Sequence, residues 1–469
     1  MDRINRLWTA LLTLVMTLWL HPAWAQIVDV VSPTEMQAEA IRSPAEPYFS
    51  ATDSIAPGTL DLISAVHRAV EWHPVISESV VALQRERENV RAARAGYFPQ
   101  IGVNFVAGRD TEDDRGGDGH VVQIYASQML YDFGKVSSEV DLAMADMQRS
   151  RALVLQAIDT VARDTAQAAI EVQRYQALLQ SAEEQIEGVS AITALVQMRS
   201  DRGASSRSDV LQARSRMEAA RASKQRVEAE LNRWRSTLQY LMGSRDRFSM
   251  SMEIPDAIRH ACEVVSPEIS AVPEVLIAEA ARAEAMARLE EARAGAWPTL
   301  SLDASVNNYL DQQYVDARAL DQNESAVFLN LSMPIYQGGR ISANKASGVH
   351  ALRAADAAKD AARVSVMQAL LAAQEEASGL SRSLSILNSR ERAIAETRDL
   401  YRKQYSSLGT RTLLDLLNAE QELHQARQEK NNARYDLSRL QIDCLYNLGA
   451  LRRAFELEGR EIQGVEVLP

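Results

Sequence analysis

The chain has 469 residues with 51 basic and 63 acidic side chains, a formal net charge of -12, and this acidity excludes nucleic acid as a partner. Two cysteines, Cys262 and Cys444, are too few for a disulfide framework; export would permit one bond between them, but two separate reduced thiols are the plainer expectation, and seven scattered histidines show no metal-ligand spacing. No nucleophile, base and orienting residue fall together on one element, so neither an enzyme nor a cofactor is expected.

Residues 1 to 25 read as a secretory signal peptide: Arg3 and Arg6, an apolar run over 7–20, and the small-x-small site Ala23-Trp24-Ala25. The mature chain is then expected to begin at Gln26, where a glutamine in place of cysteine leaves no acceptor for a lipid anchor. No later stretch approaches the roughly 20 consecutive apolar residues of a membrane helix, so any membrane insertion must use strands. Residues 26 to 57 hold Pro33, Pro44, Pro47 and Pro57 with little periodicity and read as an extended segment.

From Thr59, the expected N-cap, a helical pattern runs through Leu62, Val66 and Val70 to Ala95-Gly96, broken at His73-Pro74 because proline disfavours helix in the residue before it. Strand alternation follows at Ile101, Val103, Phe105 and again at Val122, Ile124, Ala126. Between them the loop 110–119 is acidic and lacks EF-hand spacing, so an external loop is expected there rather than a calcium site. After Leu130-Tyr131-Asp132-Phe133-Gly134-Lys135, a proline-free, alanine-rich stretch over about 137–200 predicts one helix near 100 Å long, with a coiled-coil seam at Ile158, Val161, Thr165, Ala168, Val172, Tyr175, Leu179, Ala182, Ile186 and Val189. A turn containing Gly203, Ala204 and Ser205 leads into a return helix with Val227, Leu231, Trp234, Leu238 and Leu241 on its seam, stopped at Gly243.

Everything then recurs. Pro273 matches Pro74 and Trp297-Pro298 matches Phe98-Pro99 at an offset of 199 residues. Leu302, Ala304, Val306 and Leu329, Leu331, Met333 give a second hairpin, ending at Ile335-Tyr336-Gln337-Gly338-Gly339-Arg340 at an offset of 205. A second long helix over about 341–406 has its seam at Val366, Leu370, Ala373, Ala377, Leu380, Leu384 and Leu387; Gly409 and Thr410 turn it into a return helix through Ala433, Leu437, Leu440 and Cys444, stopped at Gly449. A repeat of this length is a duplicated domain half. The expected divisions are residues 58–243 and 272–449 for the two repeats, 244–271 for an equatorial connection and 450–469 for a tail.

Four amphipathic strands cannot close a barrel alone, and unpaired edges in hydrocarbon cost several kcal/mol per backbone group. Three chains would supply twelve strands, an allowed outer-membrane number. The expected fold is therefore mainly α with a small β part: a trimeric 12-stranded outer-membrane β-barrel continued by a long periplasmic α-helical barrel. Tyr97, Phe98, Trp297, Tyr131 and Tyr336 at the strand ends suit either a membrane-interface belt or a buried aromatic core.

In this order and doubling, over about residues 59 to 452, the chain resembles the outer-membrane efflux protein family. The strand-end strings and the turn 409–419 carry the likeness. It implies a homotrimeric conduit in the outer membrane of a Gram-negative bacterium, seated in outer-membrane lipid, docking by its helical tips on a periplasmic adaptor (membrane fusion) protein and on an inner-membrane ABC transporter or other pump. The tips are Gly203, Ala204, Ser205, Gly409 and Thr410. The resemblance further makes Arg411 a latch and Asp415 part of an acidic pore ring; Asn418 stands where a second acid is often found, and Ser208 and Asp209 are the suggested partners of Arg411. A solvated Arg411–Asp415 pair at i, i+4, worth about 0.3–0.5 kcal/mol, is the rival reading. The missing lipid-acceptor cysteine favours type I protein secretion over drug or small-molecule efflux, and a non-channel envelope coiled coil is the competing class.

Overall fold

A computed structural model of the chain describes residues 59–109, 118–246, 248–264, 267, 269–310 and 323–467. The expected signal peptide, the extended segment 26–57 and most of the acidic loop lie outside the described residues.

The first repeat starts with a short strand, β1 (Thr59–Leu60), and helices α1 (Leu62–Trp72) and α2 (Pro74–Arg94). Thr59 does not cap α1: it pairs in parallel with Ser249 of strand β4 (Ser249–Met250), and Asp61 is the cap, its carboxylate accepting from the Ser64 N–H at 2.6 Å. The expected break falls at His73, where Pro74 opens α2. Strands β2 (Gln100–Arg109) and β3 (Asp118–Tyr131) form the first hairpin, followed by α3 (Lys135–Asp201) and α4 (Arg207–Leu241). At 67 residues α3 is about 100 Å long.

A short helix, α5 (Asp256–Arg259), lies in the connection, and the second repeat follows as α6 (Pro273–Ala294), β5 (Thr299–Tyr309), β6 (Asn323–Ser332), α7 (Arg340–Lys403) and α8 (Leu413–Asn447). One π-helical turn, Gln404–Leu408, follows α7. The tail carries α9 (Leu451–Ala454) and a small hairpin of β7 (Glu461–Ile462) and β8 (Val465–Glu466).

Each strand-end string is two left-handed residues: Phe133 and Gly134 (φ 58° and 96°) and Gly338 and Gly339 (φ 61° and 86°). In the first copy Asp132 holds the bend by accepting from the N–H groups of Gly134 and Val136, and the Phe133 ring stacks on Trp297 at 5.6 Å. Gly243 and Gly449 end the return helices in the same conformation, and a Cβ there would meet the Trp72 ring at 2.3 Å and the Ala271 backbone at 3.0 Å.

The two hairpins join into one antiparallel sheet in the order β2-β3-β5-β6. Pairing sorts its rows by chemistry. One row is Ile101, Ala126, Ala304 and Val327; another, on the opposite face, is Asn104, Gln123, Asn307 and Glu324. The apolar face is open: Ile101, Val103, Phe105, Leu329 and Leu331 are each more than 60% exposed.

The main core is midway along α3, where Ile158, Val161, Ala168, Ile170 and Val172 are buried against α1, the ends of α4 and α8, the connection and the tail. Each large side chain buried there contributes about 1.5–3 kcal/mol. α7 packs chiefly on α6 and α8; its seam is buried at Val366, Leu370, Ala373 and Ala377, while Leu380, Leu384 and Leu387 are half-exposed.

Candidate functional site

The two helical turns come together at one end of the long helices. Ile192 and Val196 of α3, Val210 and Ala213 of α4, Tyr405, and Leu413, Leu416 and Leu417 of α8 form a small separate core beneath them. Both turns pass through a left-handed glycine, Gly203 at φ 74° and Gly409 at φ 65°. Each return helix then opens on a reciprocal capping box, Ser206 with Asp209 and Thr412 with Asp415. In each, the hydroxyl accepts the aspartate N–H and the carboxylate accepts the cap N–H, satisfying two of the donors a helix start leaves free. The signal was present in the sequence as Ser/Thr-x-x-Asp before an apolar residue, and it assigns Asp209 and Asp415 a structural task beside any role in a pore.

Gly203, Ala204, Gly409 and Thr410 are exposed at the apex. Ser205 is half-buried, its hydroxyl 3.3 Å from that of Tyr405. The two turns are tied by Arg199, which donates from Nη1 to the Tyr405 carbonyl at 2.9 Å and stacks over its ring at 4.7 Å. Sequence reasoning missed this pair.

Arg411 binds back onto its own turn. Its Nε donates to Gln404 Oε1 at 3.3 Å, its guanidinium lies 4.3 Å from the Tyr401 ring centre, and Nη1 is 3.9 Å from the Asp415 carboxylate. Within one chain, therefore, the i, i+4 contact is present, and no hydrogen bond or ion pair joins Arg411 to Ser208 or Asp209 among the described residues. Ser208 instead shares a hydroxyl hydrogen bond with Ser206 at 2.7 Å. Asn418 accepts from Arg216 Nη2 at 3.3 Å, a contact between the two return helices. Among the described residues no group of acids, histidines or cysteines is placed to hold a metal ion.

Two linkages lie at the level of the main core. Cys262, just after α5, is disulfide-bonded to Cys444 on α8, with Cα atoms 5.3 Å apart, so the bond that export permits is present and the expectation of two separate thiols is corrected. Asp159 of α3 and Arg452 of α9 form an ion pair at 2.5 Å with exposures of 0% and 1%, and Arg452 also donates to the Ala271 carbonyl at 3.2 Å. Burial pushes the Asp159 carboxyl up to about 7, against the pull of the Arg452 guanidinium in contact with it.

The outer membrane efflux protein family model matches residues 65–244 and again 266–443, one match for each copy. The chain belongs to the outer membrane efflux protein family. This is a family of outer membrane proteins and not of enzymes. Among its efflux-family relatives, TolC of Salmonella enteritidis is 29% identical over 173 residues, and the match spans 35% of this chain and about a third (34%) of TolC. The alkaline protease secretion protein AprF of Pseudomonas aeruginosa is 25% identical over 419 residues, spanning 80% of this chain and 82% of AprF. The crystal structure of CusC superposes with a TM-score of 0.73 at 19% identity, covering 85% of this chain and 95% of CusC, which places the chain in the efflux-protein fold.

Proposed function

We propose that this efflux-family chain forms a homotrimeric, passive channel across the outer membrane, continued by its long helices as a duct into the periplasm. The sheet carries this reading. It has one apolar face, one polar face and two edges, β2 and β6, each paired on one side only among the described residues. Joining β6 of one chain to β2 of the next, three times, closes a twelve-stranded barrel with lipid outside and water inside. Strands of 10 to 14 residues, tilted, match an apolar band about 25 Å tall. Tyr97, Phe98, Trp297, Tyr131 and Tyr336 are all exposed, from 39% to 86%, at one end of that sheet, where an interface belt would lie.

Leu329→Arg, on the apolar face, is expected to cost about 2–4 kcal/mol of assembly stability, whereas Asn104→Arg, on the polar face, should leave it nearly unchanged. Heat-resistance of the trimer in detergent gels measures both, and equal behaviour of the two variants would refute the barrel. A non-channel envelope coiled coil would leave planar bilayers without conductance.

The partners that fit this architecture are a periplasmic adaptor protein at the tips and an inner-membrane ABC transporter or other pump behind it. The match to AprF over most of both chains supports type I protein secretion; the efflux-family membership keeps a drug or small-molecule pump as the alternative. An ABC transporter beside a large secreted protein among the neighbouring genes is the expected finding, and a proton-driven pump there would favour the alternative.

Arg411 is the proposed latch. It clamps the second turn to Tyr401 and Gln404 at the end of α7, and Asp415 with Asn418 lines the narrowest ring with one acid per chain. Arg411→Ser should raise single-channel conductance in planar bilayers. Unchanged conductance would remove Arg411 from the gate.

A further inference from the structure

The charge of the tip opposes that of the chain. Residues 199–216 hold five arginines against Asp201 and Asp209, and residues 402–418 hold Arg402, Lys403 and Arg411 against Asp415, eight cations to three anions, or +5, where the whole chain is -12. All three anions are engaged: Asp209 and Asp415 cap their helices, and Gln197 Nε2 donates to Asp201 at 2.8 Å. Four of the cations, Arg202, Arg207, Arg402 and Lys403, are exposed and have no ion-pair partner among the described residues.

Helix electrostatics explain part of this. Arg402 and Lys403 end α7 and Arg202 caps α3, positions where a cation is stabilised by about 0.3–1 kcal/mol. They do not explain Arg207, the first residue of α4, or Arg411, just ahead of the Thr412 cap, where the same dipole disfavours positive charge. Between the cations the apex is small and uncharged: Gly203, Ala204, Gly409 and Thr410, with no atom within 4 Å of a Cβ built on either glycine.

We infer that the tip is built to receive a protein segment that carries aspartates or glutamates around a small or apolar contact point. This rests on the reading of the turns as docking tips and adds the chemistry of the partner. Anionic lipid is a poor occupant, because the turns stand about 100 Å from the sheet, a full length of α3. Unpaired, exposed cations on two adjoining turns raise the association rate of an acidic partner and make it salt-sensitive.

The test uses the full-length, detergent-solubilised protein and two labelled helical-hairpin peptides, one with four glutamates flanking its turn and a twin with lysines there. The glutamate hairpin is expected to bind at least about tenfold more tightly than its twin, and to weaken as sodium chloride rises from about 50 to about 300 mM. The combined variant Arg202→Ser, Arg207→Ser, Arg402→Ser, Lys403→Ser should abolish the difference. Equal binding of the twins, or full binding by the variant, overturns the inference. In cells, photo-crosslinkers at Ala204 and Thr410 separate the two levels. Crosslinks to an adaptor that weaken in the variant support the acidic partner; crosslinks that persist undiminished overturn it and leave tip docking standing. No crosslinks from either position while export continues would overturn both.

Discussion

Arg452→Met is expected to destabilise the folded chain by about 3–5 kcal/mol, the usual cost of stranding one member of a buried ion pair. Asp159 has no other charged partner in its site, and its Oδ1 already lacks a hydrogen bond among the described residues. The pH dependence has a definite sign. The carboxyl rises from 3.8 to about 7 on folding, so the folded state holds its proton more tightly. Its contribution to stability therefore falls as pH climbs from about 4 through about 7 and is constant above that. Without Arg452 the carboxyl must stay protonated at still higher pH. The variant's deficit should thus grow above pH 7 by about 1.4 kcal/mol per pH unit. Denaturation of the detergent-solubilised protein at acidic and alkaline pH measures it. The double variant Asp159→Leu, Arg452→Met should recover most of the loss, because an apolar pair needs no desolvation. A double variant as weak as the single would show that the site depends on shape rather than charge.

Removing the disulfide is the second large effect. The Cys262–Cys444 bond spans 182 residues, and closing a loop of that length stabilises by about 5 kcal/mol through the entropy of the unfolded chain. Native disulfides return about 2–5 kcal/mol in practice. Cys262→Ser with Cys444→Ser should lose that amount in guanidinium denaturation. A thiol reductant should bring the parent down to the variant and leave the variant unmoved. Reductant-insensitivity of the parent would mean that the thiols are not joined in the exported protein.

Local periodicity made most of the fold legible. Ile158, Val161, Thr165, Ala168 and Val172 are buried because α3 meets its neighbours along the stripe that their spacing defines. Thr59 misled because its partner, Ser249, lies 190 residues away and nothing local announces the pairing, while Asp61 was in reach as the better cap. The Asp159–Arg452 pair was illegible for the same reason, being separated by 293 residues. At the tip, the spacing of Arg411, Asp415 and Asn418 placed the turn, but not the stacking of Arg411 on Tyr401 or of Arg199 on Tyr405. Those contacts depend on how a helix end is wound, which side-chain periodicity does not encode.

That winding differs between the two copies by one residue. The seams of the two long helices align residue for residue at an offset of 205, from Val161 with Val366 to Ala182 with Leu387, yet Gly203 and Gly409 stand 206 apart. The second copy is thus one residue longer in between, and the π-helical turn Gln404–Leu408 lies in that interval. A π-turn is how a helix absorbs a single insertion without shifting everything after it. The extra residue is taken up in the bulged approach to the second turn, and Tyr405 within that bulge meets Arg199, the residue 206 positions before it.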